Sequence, residues 1–403
     1  AGLSLGLVAA LVIALLIWRH EVDDDAAPTP TPVSPSARQD LAADVLDDLG
    51  SAIETPDSEA ASALMDGERS DIGRAMAENA GRLRVTDFDA RYVDEDLAMS
   101  ADLPEGQWAA AVDTTWQFAG YDAHPAHAEV TFTFALVGDE ARLISVGGGD
   151  RRTPLWMTRR LEVRRTPEAL VMATRGEDVP LASIVAKART AVRVVRRVVP
   201  RWKQKLVVEV PSSGVDLDAL LGAEAGEYAN IAAVTATVDG SLAPSSPVHV
   251  FLNPDVFKTL KPQGAQVVMS HEVTHVATEA ATGAMPLWLL EGFGDYVALR
   301  DVDLPVTTTA AQIIEQVQDS GPPKTLPGSA EFDTQTPHLG AAYEAAWLAC
   351  RVLADAGPEA SLVALYRRVA DGADVDATLV DFYGFGEREL VRRWQDELKA
   401  LAR

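Results

Sequence analysis

Several things are scarce in this chain, and each shortage excludes something. One cysteine, Cys350, in 403 residues rules out an internal disulfide, and its helical pattern with Trp347 and Leu353 reads as a buried thiol rather than a nucleophile. Basic residues number 35 against 60 acidic ones, a net charge of −25. That balance repels phosphate backbones and excludes nucleic acid as a partner. Histidines number seven, so two of them in one short motif carry weight. The remaining composition, 47% hydrophobic and 24% charged, suits two cored domains and a tail.

The exception to a soluble composition is the start. Residues 2–18 form an apolar run broken by Ser4 and glycines, at the lower limit of what spans a bilayer. It reads as a membrane anchor or a signal-peptide core. Arg19 and His20 and then an acidic run follow directly, without a small-x-small cleavage site, which favours a retained anchor. A Pro/Thr/Ser-rich linker over 19–36 then looks like a stalk. The expectation is a single-pass protein of the cell membrane with the body of the chain on the extracytoplasmic side.

Residues 37–176 begin helical, with Leu41, Val45, Leu46 and Leu49 at helical spacing. Period-two runs follow, through Trp108, Val112, Trp116 and Phe118 and through Val130, Phe132 and Phe134, with further strands expected at 141–146, 161–163 and 170–173. This predicts an α+β domain with a curved antiparallel sheet. A basic helix over 179–199, with Lys187, Arg189, Arg193, Arg196 and Arg197, opens the last domain, 177–403; such a charge run is usually a solvated face. Strands at 206–210, 231–238 and 248–252 come next, and the pattern beyond residue 308 is helical.

The most informative segment is His271-Glu272-Val273-Thr274-His275, with Glu291 sixteen residues later in Pro286-Leu-Trp-Leu-Leu-Glu-Gly-Phe-Gly-Asp-Tyr296. Histidines four apart lie on one helix face, so both imidazoles aim at one cation. Glu291 supplies a third ligand, which leaves a fourth position for water, and Glu272 stands beside it as a general base. Asp295, one turn beyond Glu291, is placed to hold a histidine N–H, although the spacing does not say which one. Amide hydrolysis also needs a group to stabilise the oxyanion. Tyr343 is the first choice and His338 a competitor. Chance placement of the motif on an ordinary amphipathic helix is the rival reading, and the third carboxylate argues against it.

These segments resemble the gluzincins, particularly the peptidase MA-like group, over roughly residues 178–403. The resemblance implies zinc (Zn2+) held by His271, His275 and Glu291, with Glu272 as base, Asp295 as the partner of a ligand histidine and Tyr343 as the downstream tyrosine. Gly294 stands where related sequences often carry a small residue such as Ala, a departure that leaves the ligands unaffected. Helices followed by long strands in 37–176 are similar to the cone-shaped nuclear transport factor-like fold, by architecture alone.

The expectation is therefore a membrane-tethered zinc metallopeptidase acting on a peptide or protein, its segments being an anchor at 1–18, a linker, a nuclear transport factor-like domain and a gluzincin-like domain. Two alternatives stay open: a cell-envelope binding module that keeps a zinc site, and a zinc hydrolase of non-peptide amides. Substrate, cleavage position and oligomeric state are not written in the sequence.

Overall fold

Two β-sheets organise the described residues, and they are built from different kinds of strand. A computed structural model describes residues 34–176, 180–283, 285–334 and 336–403. The first sheet is an antiparallel meander of β1 (Val85–Glu95), β2 (Gln107–Phe118), β3 (Ala126–Val137) and β4 (Glu140–Val146). In its strands buried and exposed positions alternate over much of their length: Ala126, Ala128 and Val130 face in, His127 and Glu129 face out. This is the signature of a sheet with one wet face. Helices α1 (Pro35–Glu54) and α2 (Ser70–Leu83) precede it, and Val45, Leu46, Leu49 and Met76 share its core with Trp108, Trp116, Phe132 and Phe134.

The second sheet has the order β5-β6-β7-β9-β8, with β5 (Leu161–Arg165), β6 (Ala169–Thr174), β7 (Leu206–Val210), β8 (Ala233–Thr237) and β9 (Val248–Leu252). β6, β7 and β9 run parallel while β5 and β8 are antiparallel edges. Parallel neighbours need a crossover, and α3 (Leu181–Val198) provides it between β6 and β7. Both faces of this sheet are covered. Val171, Val208 and Val250 look into a core shared with the helices, whereas Leu170, Met172, Val207 and Phe251 look into the core of the first sheet. The helical half continues with α4 (Pro262–Ala277), α5 (Leu287–Leu299), α6 (Ala311–Ser320), α7 (Leu339–Ala356), α8 (Glu359–Ala370), α9 (Val375–Tyr383) and α10 (Glu387–Leu401).

One polar knot crosses between the sheets. His249 of β9, 1% exposed, bonds Glu209 of β7 through Nδ1 at 2.7 Å and Asp122 of the β2–β3 connection through Nε2 at 3.0 Å. Burial alone would lower the imidazole pKa, but the two carboxylates outweigh it and raise it to about 9. The ring is a buried cation between two anions, the condition under which a buried charge is tolerated.

Three expectations are corrected. Among the described residues no helix is long and apolar enough to cross a membrane. The long helices are studded with charge, α1 by Asp40, Asp44, Asp47 and Asp48 and α3 by its basic residues. The 2–18 run lies outside the described residues, and no described helix supports the membrane anchor or the single-pass, extracytoplasmic localisation expected from it. Second, β5 and β6 do not extend the first sheet: β5 pairs with β6 and β6 with β7, so the second sheet crosses the 176/177 boundary. Third, β1 was not expected. Its alternation is broken at Asp87, which adopts φ 54° beside a register shift, the mark of a β-bulge. With β5 and β6 gone and β1 added, the strand run that suggested a nuclear transport factor-like cone is a different set of strands.

The basic face of α3 is largely paired and solvated. Arg189 meets Glu168 at 3.4 Å, Arg197 meets Asp301, and Arg196 lies over Trp202.

Candidate metal centre

Local sequence explains how α4 presents its polar face. Pro262 stands at the first turn, where its missing N–H costs nothing. Met269, Val273 and Val276 bury the opposite side in the helical core. The remaining face carries His271 and His275, whose rings stand edge to face with centroids 4.5 Å apart. On α5, Trp288, Leu289, Phe293 and Val297 are buried, which turns Glu291 and Asp295 towards α4. Gly292 lets the helix close on α7, since a Cβ there would strike the Ala346 carbonyl.

Three atoms converge between the helices. His271 Nε2 and His275 Nε2 are 2.8 Å apart, and Glu291 Oε2 lies 3.1 Å from the first and 3.4 Å from the second. His271 Nδ1–H donates to Asp295 Oδ1 at 2.8 Å, so Asp295 holds His271. His275 Nδ1 is buried without a partner. With its Nδ1 proton committed, the Nε2 of neutral His271 is a bare lone pair facing a carboxylate oxygen and a second imidazole. Such a buried convergence of acceptors calls for a cation. Two imidazoles and one carboxylate suit zinc, whose tetrahedral ligands, at bonds of about 2.0–2.1 Å, stand roughly 3.3 Å apart.

The electrostatics show how closely these groups are coupled. Burial pulls the His271 pKa down, but Asp295 and Glu291 raise it well above the ordinary value. Burial pushes Glu291 up, yet His275 and His271 hold it well below the usual carboxylate range.

A cleft of about 380 Å3 opens on this centre, bordered by His271, Glu272, Asp295, Tyr343, Glu344 and, from β8, Ala233. The Tyr343 ring, at the start of α7, lies 5.8 Å from that of His271 and 5.2 Å from Phe332. Burial, then Glu291, Glu272 and Asp295, push its phenol pKa far up, so it keeps its proton as a donor. His338 is not brought in: it is exposed and lines a separate cavity with Pro323 and Thr336. A larger cavity, about 530 Å3, lies among Leu287, Leu326 and Val391 and touches none of the six motif residues. The chemistry, not the volume, marks the site.

Three residues of the site escaped sequence reasoning. Thr235 of β8 donates its hydroxyl to Glu272 Oε2 at 2.8 Å. Glu344 accepts from the Ile313 N–H at 2.8 Å and from Gln312 Nε2 at 3.3 Å, fastening the first turn of α6 to the cleft wall. Gly294, taken as a harmless departure, matters: a Cβ there would stand 2.8 Å from His271 Cε1 and 3.0 Å from Nδ1. The ring occupies the space a side chain would need. Only Gly294 left a signal, as the glycine where a small side chain was expected.

No family model and no curated protein matches the chain. Among solved structures it is similar to a point mutant of an M1 zinc metallopeptidase from Deinococcus radiodurans, at 13% identity and TM-score 0.36, covering 72% of this chain and 62% of that one. It is also similar to the M1 zinc metallopeptidase of that organism, at 13% and 0.34, covering 72% and 61%. A third likeness is to a two-domain M1 zinc metallopeptidase mutant bound to L-arginine, at 13% and 0.34, covering 74% and 61%. The chain thus spans about three fifths of the length of these structures.

Proposed function

We propose that this chain is a zinc-dependent metallopeptidase. The observation that carries the reading is the convergence of His271 Nε2, His275 Nε2 and Glu291 Oε2, three ligand atoms within 4.8 Å of one another, with the Glu272 carboxylate beside them at the edge of a cleft. A purely structural zinc site has no use for Glu272.

When bound, zinc supplies Lewis acidity, polarising a carbonyl and bringing the pKa of water towards neutrality. The chain's own residues do the rest. Glu272 takes a proton from the attacking water and returns it to the leaving amine nitrogen, so one carboxylate acts as base and then as acid. Tyr343, protonated and facing the same cleft, donates to the oxygen that gains charge as the carbonyl is attacked. Asp295 fixes the tautomer and direction of His271. β8 is the edge of its sheet and borders the cleft, so an extended peptide adds to it as a further strand, its main chain aligned over the centre.

The test is zinc stoichiometry with cleavage of a mixed peptide library. Wild type should hold one zinc per chain and cleave. Glu272→Gln should keep the zinc and lose roughly 10²–10⁴-fold in turnover, while His275→Ala should lose the metal. Equal zinc in His275→Ala and wild type would sink the ligand set. One zinc with no cleavage by wild type would move the assignment to a binding module or to a hydrolase of small amides.

A further inference from the structure

Glu272 has two carboxylate oxygens, and the protein treats them differently. Oε2 accepts the Thr235 hydroxyl at 2.8 Å, and among the described residues no other hydrogen bond reaches this carboxylate. The same hydroxyl lies 3.0 Å from the Glu272 carbonyl oxygen. It has one proton for two acceptors. The carbonyl is in mid-helix, where the N–H four residues on already serves it; the carboxylate has no such alternative.

The placement of Thr235 follows from strand parity. Val234 and Ala236 pack towards the core of the first sheet, and Ala233 towards the helical core, so the period of two turns Thr235 to the α4 side. A β-branched side chain on a strand is stiff at χ1. The last torsion of a glutamate is broad and two-fold, so Glu272 without a fixed partner would spread its carboxylate over many orientations. Glu291 and Asp295 stand nearby as like charges. A stiff donor fastened to the sheet removes that freedom and leaves Oε1 without a protein hydrogen bond among the described residues.

Resting on the reading of Glu272 as general base, we propose that Thr235 is a positioning residue for it: its hydroxyl holds Oε2 so that Oε1 meets the proton of the attacking water. The base and an edge-bound peptide then share one mount, β8. The strand that aligns the main chain of the substrate also aims the carboxylate, so their spacing does not depend on loop motion.

The experiment compares wild type, Thr235→Val, Thr235→Ser, Glu272→Gln and the Thr235→Val/Glu272→Gln double variant, all as the full chain. Three quantities are read: zinc content, kcat and KM on a peptide that wild type cleaves, and the Kd of acetohydroxamate, a zinc-directed probe whose proton the base accepts. Thr235→Val should keep its zinc and its KM within about twofold and lose roughly tenfold or more in kcat, as partners that orient a site commonly do. Thr235→Ser, which keeps the hydroxyl, should recover most of that loss. Thr235→Val should weaken acetohydroxamate severalfold alone and not at all in the Glu272→Gln background, because coupled residues are non-additive. Equal weakening in both backgrounds, or a kcat within twofold of wild type, overturns the assignment and leaves the peptidase reading intact. A wild type that holds zinc yet neither cleaves nor binds the probe overturns both.

Discussion

The two sheets differ in what their surroundings ask of them. In the first, β3 opens with strict alternation, Ala126, Ala128 and Val130 in, His127 and Glu129 out, and the wet face carries solvated ion pairs such as Arg91 and His127 on Asp113. In the second, every residue of β6 and β7 is buried, because one face meets α3 and α4 and the other meets the first sheet. A sheet covered on both sides has little freedom, and that makes it a mount: β8 at its edge holds Glu272 through Thr235, while α4 on its face carries the histidines. The strands that announce themselves most clearly by alternation are those further from the chemistry. The apolar, uninformative strands are the ones on which precision depends.

That division of labour is broken or sharpened most directly by cavities. Trp108→Ala in the first sheet and Phe251→Ala in the second each empty a fully buried site and should cost about 3–5 kcal/mol in urea unfolding. Their effects on metal binding should separate. The folded fraction of Trp108→Ala should bind zinc as wild type does, whereas Phe251→Ala, which loosens the strand paired with β8, should bind it more weakly. Equal zinc affinities would mean that the second sheet is no more a mount than the first.

The knot of Asp122, His249 and Glu209 joins the two regions and tests whether they are coupled. The folded pKa of His249, about 9, lies above the ordinary 6.5, so folding favours the protonated form. Its contribution is therefore complete below about pH 6.5 and is lost as pH rises through about 9. A shift of this size is worth on the order of 3 kcal/mol. Denaturant titrations from pH 6 to pH 10 should show that loss, and Asp122→Asn, by removing one of the two anions, should move it to lower pH. A flat profile above pH 7 in wild type would mean that the ring is neutral and the coupling weak.

How much of this was legible follows the range of each interaction. The convergence of His271, His275, Glu291 and Asp295 could be read because its geometry is local: the histidines are one turn apart on one helix, and the carboxylates one turn apart on the next. β7 and β9 begin and end where the apolar runs do. β5 and β6 were recognisable as strands but not as members of the second sheet, since pairing partners are chosen in three dimensions. β1 was lost to a bulge at Asp87, and α9 had no periodic stripe strong enough to stand out. Thr235 was out of reach: its partner is 37 residues away, and a threonine in a strand looks ordinary. His338 and Tyr343 show the same limit within five residues, since the turn into α7 directs Tyr343 into the cleft and leaves His338 outside it.

The smallest expected effect is the most specific to this chain. Gly294 sits inside α5, where alanine would favour the helix by about 0.8–1.0 kcal/mol. The new Cβ, however, would stand 2.8 Å from His271 Cε1, against a ring held by Asp295 on one nitrogen and edge to face against His275. The ring has to turn, and the lone pair it offers the metal turns with it. Gly294→Ala should therefore shift the thermal midpoint of the metal-free protein little, the helix gain offsetting the displaced ring, while weakening zinc roughly tenfold, about 1.4 kcal/mol, as read by competition with a chelator. A loss of affinity without a matching loss of stability separates a local steric displacement of His271 from general damage to the helix. Unaltered zinc affinity would mean that α4 and α5 can part far enough to admit the methyl group, and that the mount is softer on the α5 side than on the β8 side.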